Sequence, residues 1–158
     1  MGIPVAYIGA GAPEPPPMLA QAISRASAKH AVPPELLAAV AWVESRYKPG
    51  LTGKAGEQGE FQLMPATAAG LGVINAFDAN QGADGAARLL KSLYARFGQW
   101  PLALAAYNWG GGHVAARPDP IDWPDSVQRY VTRVWEAAGW PLPLAVPPAL
   151  VVGRERIL

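Results

Sequence analysis

Proline and glycine cut this chain into short segments, and that punctuation restricts it to a set of short helices. Pro33 and Pro34, Pro49 and Gly50, Pro65, Gly98, Pro101 and the run Gly110, Gly111, Gly112 stand between stretches whose apolar residues recur at helical spacing. Proline is tolerated in the first turn of a helix and not in its interior, and glycine after the last turn ends one. The first periodic segment, about Met18 to His30, carries Leu19, Ile23 and Ala26. A second is opened by Pro33 and Pro34, with Glu35 near the positive end of its dipole, and runs to about Tyr47. Pro65 opens the short PATAAG helix; Leu89, Leu90, Leu93, Tyr94 and Phe97 mark a longer one ending at Gly98. Asp78 precedes a helix and reads as its cap. Pro101 begins LALAAYN, which breaks at the glycine run, and Val127, Tyr130, Val131, Val134 and Trp135 give the last helix. The region from Leu51 to Gln62 has room for at most a short β-hairpin. The fold class is therefore mostly α.

At 158 residues, 51% of them hydrophobic and 16% charged, the chain suits one compact domain with a core of its own. Residues 1–17 read as a Pro/Gly-rich arm, 18–140 as the domain and 141–158 as a Pro-rich apolar tail that wraps back or mediates assembly. A net charge of +1 with no basic stripe argues against nucleic acid. The absence of cysteine excludes disulfides, thiolate metal sites and cysteine nucleophiles. His30 and His113 have no pairing that would hold zinc, so neither metal nor cofactor is expected. The N-terminal residues lack the positive start and apolar stretch of a secretory signal, and no run reaches membrane-spanning length. No export address and no membrane insertion are expected. The GAGAP stretch is followed by a proline run where a nucleotide-binding loop needs a helix, and is set aside.

Glu44 is the informative residue. At about 100° per residue it falls close to Leu37 and Val40, and near Ala41, inside the apolar stripe of its helix. Burial raises the pKa of a carboxyl, and a carboxyl kept protonated near neutral pH is what a general acid needs. The competing explanation is an ion pair with Arg46, Lys48 or another cation.

An ordered set of motifs surrounds it: Glu44-Ser45 at a helix end, a Gly-rich loop, Gly59-Glu60-Phe61-Gln62 running into QLMPATAAGLG, Ala106-Tyr107-Asn108 before a glycine break, and Tyr130-Val131 in the last helix. In this order the chain resembles the catalytic domain of the soluble lytic transglycosylases, related in fold to goose-type lysozyme. The likeness runs from about Leu19 to Val134. It implies a lysozyme-like helical domain with a groove for peptidoglycan glycan strands. It also implies cleavage of the β-1,4 bond between N-acetylmuramic acid and N-acetylglucosamine, with Glu44 as general acid and then base and a 1,6-anhydro product.

The same resemblance implies that Ser45, Glu60, Phe61, Gln62, Tyr107, Asn108 and Tyr130 line the substrate site. Each has a plainer alternative: Ser45 bonding the backbone at the helix end, Gln62 and Asn108 fixing loops, Tyr107 and Tyr130 serving the core. Trp109 is the candidate for stacking on a sugar, while Trp42, Trp123 and Trp135 read as packing residues. Two positions depart from the family pattern. Glu60 stands where an apolar residue is usual, as a solvated side chain or as a base that would activate water and make the enzyme an inverting muramidase. Ser126 stands where relatives often carry glutamate. A rival of another class is an inactive glycan-binding or assembly module. The expected setting is the cell wall in the periplasmic space, reached by way of a phage particle or secretion apparatus, with an assembly partner there.

Overall fold

The computed structural model describes residues 11–141, and every regular element in that span is helical. The order is α1 (Pro17–His30), α2 (Pro34–Ser45), α3 (Pro65–Gly70), α4 (Ala79–Phe97), α5 (Trp100–Trp109), α6 (Gly111–Ala116), a 3₁₀ turn (Pro120–Asp122) and α7 (Asp125–Ala137). Pro17, Pro34, Pro65 and Pro101 all sit in first turns, as their lack of an N–H allows. Asp78 caps α4, its carboxylate accepting from Gln81 N at 2.9 Å, and Gly98 closes the helix in the left-handed region. The tail reading for 142–158 and the first ten residues of the arm lie outside the described residues.

α2 and α5 form the centre. Leu36, Leu37, Ala39, Val40 and Ala41 of α2, and Ala103, Leu104 and Ala105 of α5, are all 0% exposed. The apolar stripe expected on α2 is thus nearly its whole circumference, the pattern of a helix enclosed by neighbours. α7 covers α2 with Val127, Tyr130, Val131 and Val134, and also packs on α5. α1 and α4 pair on the other flank, pinned at the rim by Lys29 and His30, both bonded to Asp84 Oδ1 (2.9 and 2.8 Å). Burial raises the Asp84 carboxyl, but its bonds to Lys29 and His30 outweigh this and hold it below its usual range.

One helix end is corrected. α2 ends at Ser45 and not near Tyr47, because Arg46 and Tyr47 are both left-handed (φ 54° and 62°). Such residues cost roughly 1–3 kcal/mol each. The bend is held by Tyr47 Oη donating to Pro13 O at 2.8 Å and by the Tyr47 ring lying 5.1 Å from that of Trp42. The same bond, with Ala12 N donating to Ala137 O at 2.6 Å, lays the described end of the N-terminal arm on the domain. Residues 51–64, read as at most a short hairpin, hold only isolated bridges between Thr52 and Gln58 and between Gln58 and Leu63. The glycine run ends α5 as it reads: Gly110 turns the chain (φ 101°), and Gly111 then starts the short helix α6.

Candidate active site

Glu44 sits in the last turn of α2, where the enclosed helix reaches the surface. Its partner is on α7: Tyr130 Oη donates to Glu44 Oε1 at 2.7 Å. Among the described residues Glu44 forms no ion pair, so Arg46 and Lys48 do not neutralise it. Burial pushes its carboxyl up to about 7; the Tyr130 hydrogen bond opposes this, the charge of Glu57 adds to it and that of Arg133 subtracts. A carboxyl with that pKa is partly protonated at neutral pH and is able to give and retrieve a proton.

Tyr107, in the last turn of α5, donates its hydroxyl to Phe61 O at 2.7 Å. Burial, and then the nearby Glu44 charge, raise the phenols of Tyr107 and Tyr130 well above the usual tyrosine range, which keeps both protonated. The two tyrosines therefore frame Glu44 as neutral hydroxyls.

The loop facing Glu44 is fixed by side chains that the sequence placed in the substrate site. Ser45 is 3% exposed, and its Oγ is 2.9 Å from Ala41 O and 2.7 Å from Glu60 O. It ties the loop to α2, as in its plainer reading. Phe61 is 0% exposed, its ring in the core and its carbonyl on Tyr107. Glu60 is 3% exposed. Burial raises its carboxyl, the influence of a charged neighbour comes from Asp78, and Oε2 has no hydrogen-bond partner. Ser45, Glu60 and Phe61 thus stand behind the groove and not in it. The reason lies in Gly59, which is left-handed (φ 77°) and pressed against the Ala76 carbonyl. The residue after it is directed inward.

Gln62 is half-buried and also left-handed (φ 48°). Its Nε2 donates to Leu51 O at 3.0 Å and to Gly59 O at 2.8 Å, which makes it a loop-fixing residue with Oε1 left over. That oxygen and the Glu57 carboxylate both crowd the bare face of Gly53. Glu57 escaped the sequence reading, although it lies on the same Gly-rich loop; Ala55 N donates to its Oε2 at 3.1 Å.

From Gln62 and Tyr107 a cavity of about 330 Å³ extends past Met64, Asn108 and Trp109 to Gly111. Asn108 is exposed on its wall. One face of Trp109 is covered by His113, stacked at 4.8 Å and 13°. Trp123 is buried, while Trp42 and Trp135 are half-buried against the core.

The family model described as the transglycosylase SLT domain matches residues 21–119. A transglycosylase of Enterobacteria phage PRD1 is 35% identical over 129 residues, which are 82% of this chain and 48% of that protein. The membrane-bound lytic murein transglycosylase F of Ectopseudomonas mendocina is 36% identical over 115 residues, 63% of this chain and 23% of that protein. The chain thus spans about half the length of the first relative and about a quarter of the second. Among solved structures, the 70 kDa soluble lytic transglycosylase of Escherichia coli shares the fold, with a TM-score of 0.65 at 24% identity over 75% of this chain and 23% of that one.

Proposed function

The chain belongs to the transglycosylase SLT domain family, and from that premise we propose that it is a lytic transglycosylase cutting the β-1,4 bond between N-acetylmuramic acid and N-acetylglucosamine in peptidoglycan. The observation that carries this reading is Glu44: a carboxyl raised to about 7 by burial, hydrogen-bonded to Tyr130, with its charge acting on Tyr107, which lines a cavity.

Glu44 Oε2, free of Tyr130, gives its proton to the glycosidic oxygen as the C1–O bond breaks. The C6 hydroxyl of the same muramic acid then bonds to C1 and passes its proton back to Glu44, closing a 1,6-anhydro ring. The acid is regenerated without water, second carboxylate or protein nucleophile. Tyr130 holds the carboxyl in place through both steps, Tyr107 fixes the facing loop, and Asn108 with Gln62 Oε1 offers amide groups to the N-acetyl substituents. The place of action is the cell wall. Likeness to a phage protein supports delivery by a particle, with an assembly partner there.

Mass analysis of the muropeptides released from purified peptidoglycan tests this. Anhydro products are lighter than hydrolytic ones by one water, and release of only the heavier set would overturn the assignment.

A further inference from the structure

The cavity that Tyr107 lines ends at the corner between α5 and α6, and two guanidiniums rest on residues of its wall. Arg96, from the last turn of α4, lies against the bare face of Gly111, where a Cβ would come 2.6 Å from Nη1. Its Cζ is 4.9 Å from the Phe97 ring centroid. Arg117, just past α6, places Cζ 5.7 Å from the Trp109 centroid. Both arginines are exposed. Among the described residues, ion pairs form only at Asp84, and the one arginine side chain that donates a hydrogen bond is Arg25. Asp119, the acid nearest Arg117 in sequence, is occupied by the Ile121 N–H at 3.0 Å.

We propose that this corner binds carboxylates of the peptide stem borne by the muramic acid. The inference rests on the cavity being a glycan groove. Neutral N-acetyl sugars have no use for two uncompensated positive charges, whereas the stem carries free carboxylates within a short reach of the sugar ring. A guanidinium offers a planar fork of donors that pairs a carboxylate through two parallel bonds. Gly111, lacking a side chain, lets Arg96 lie flush with the wall, and Trp109, stacked on His113, gives Arg117 a rigid platform.

The test compares glycan strands with free stem carboxylates against the same strands amidated with carbodiimide and ammonium. The readout is the ratio of kcat/KM on the two substrates, which cancels any loss of folded enzyme. Arg96→Gln with Arg117→Gln is expected to lower that ratio about tenfold or more, the worth of one or two charged hydrogen bonds. The paired lysine replacements recover part of it, and added salt compresses the wild-type ratio. An unchanged ratio in the double glutamine variant overturns the proposal. Wild-type enzyme inert on both substrates would instead refute the glycan-cleavage reading on which it rests.

Discussion

The Tyr130 hydroxyl and the Glu44 carboxylate meet at 2.7 Å across 86 positions of sequence. The bond favours the ionised acid and so opposes burial. Tyr130→Phe keeps the ring that packs on α2 and removes this opposition. The Glu44 pKa then rises, and the basic limb of the kcat/KM profile against pH moves to higher pH. A limb that stays in place would show that the bond does not operate in the working enzyme.

Glu44→Gln is expected to reduce release of anhydromuropeptides by about 10²–10⁴-fold, the range for removal of a general acid or base. In wild type the loss of the protonated form gives a basic limb near pH 7. Product mass spectrometry and initial rates check both statements.

The same residue links stability to pH. Its pKa is about 7 in the folded protein against an ordinary 4.5, so the folded state prefers the protonated acid. That stabilisation is complete below pH 4.5 and is lost as pH rises through 7. Relative to their difference at pH 4, Glu44→Gln should gain on wild type by on the order of 2–3 kcal/mol at pH 8. Urea unfolding at the two pH values measures it; a pH-independent difference would contradict the raised pKa.

Glu60→Leu is expected to stabilise the protein at pH 7 by about 1–3 kcal/mol, because it replaces an enclosed carboxyl whose Oε2 lacks a partner. Its products should remain anhydro species. Conversion to another product class, or loss of turnover without unfolding, would restore a chemical role to Glu60.

Gly59→Ala should destabilise by at least ~2 kcal/mol, since the new Cβ meets the Ala76 carbonyl and the residue is left-handed. Thermal unfolding reports the loss, and activity should fall with it as the Tyr107 to Phe61 bond slackens.

Helix boundaries were legible in the sequence because proline and glycine act locally: Pro34, Pro65, Pro101 and Gly98 act in the structure as they read. Glu44 was legible because a carboxyl among Leu37, Val40 and Ala41 contradicts the pattern around it. What escaped depends on loop dihedrals that the sequence does not announce. Arg46, Tyr47 and Gln62 are left-handed without being glycine; α2 ends at Ser45 where Arg46 and Tyr47 turn, and the Gln62 Nε2 is spent inside its loop. Gly59 is left-handed with no room for a Cβ against the Ala76 carbonyl, and Glu60 after it is enclosed. Motif identity marked the Ser45 to Gln62 segment as part of the site, but only the folded loop separates residues that face the groove from those that support it.

α5 divides along its length. Ala103, Leu104 and Ala105 are closed in, and a larger side chain at either alanine would have to displace neighbours such as α4 or α7, on which α5 packs. One turn later, Tyr107, Asn108 and Trp109 open onto the cavity. A single short helix therefore holds an incompressible root and an adaptable tip. If the proposed function holds, substrate preference would be retuned at its last turn, at positions 108 and 109, while the rest of the molecule registers no change in volume.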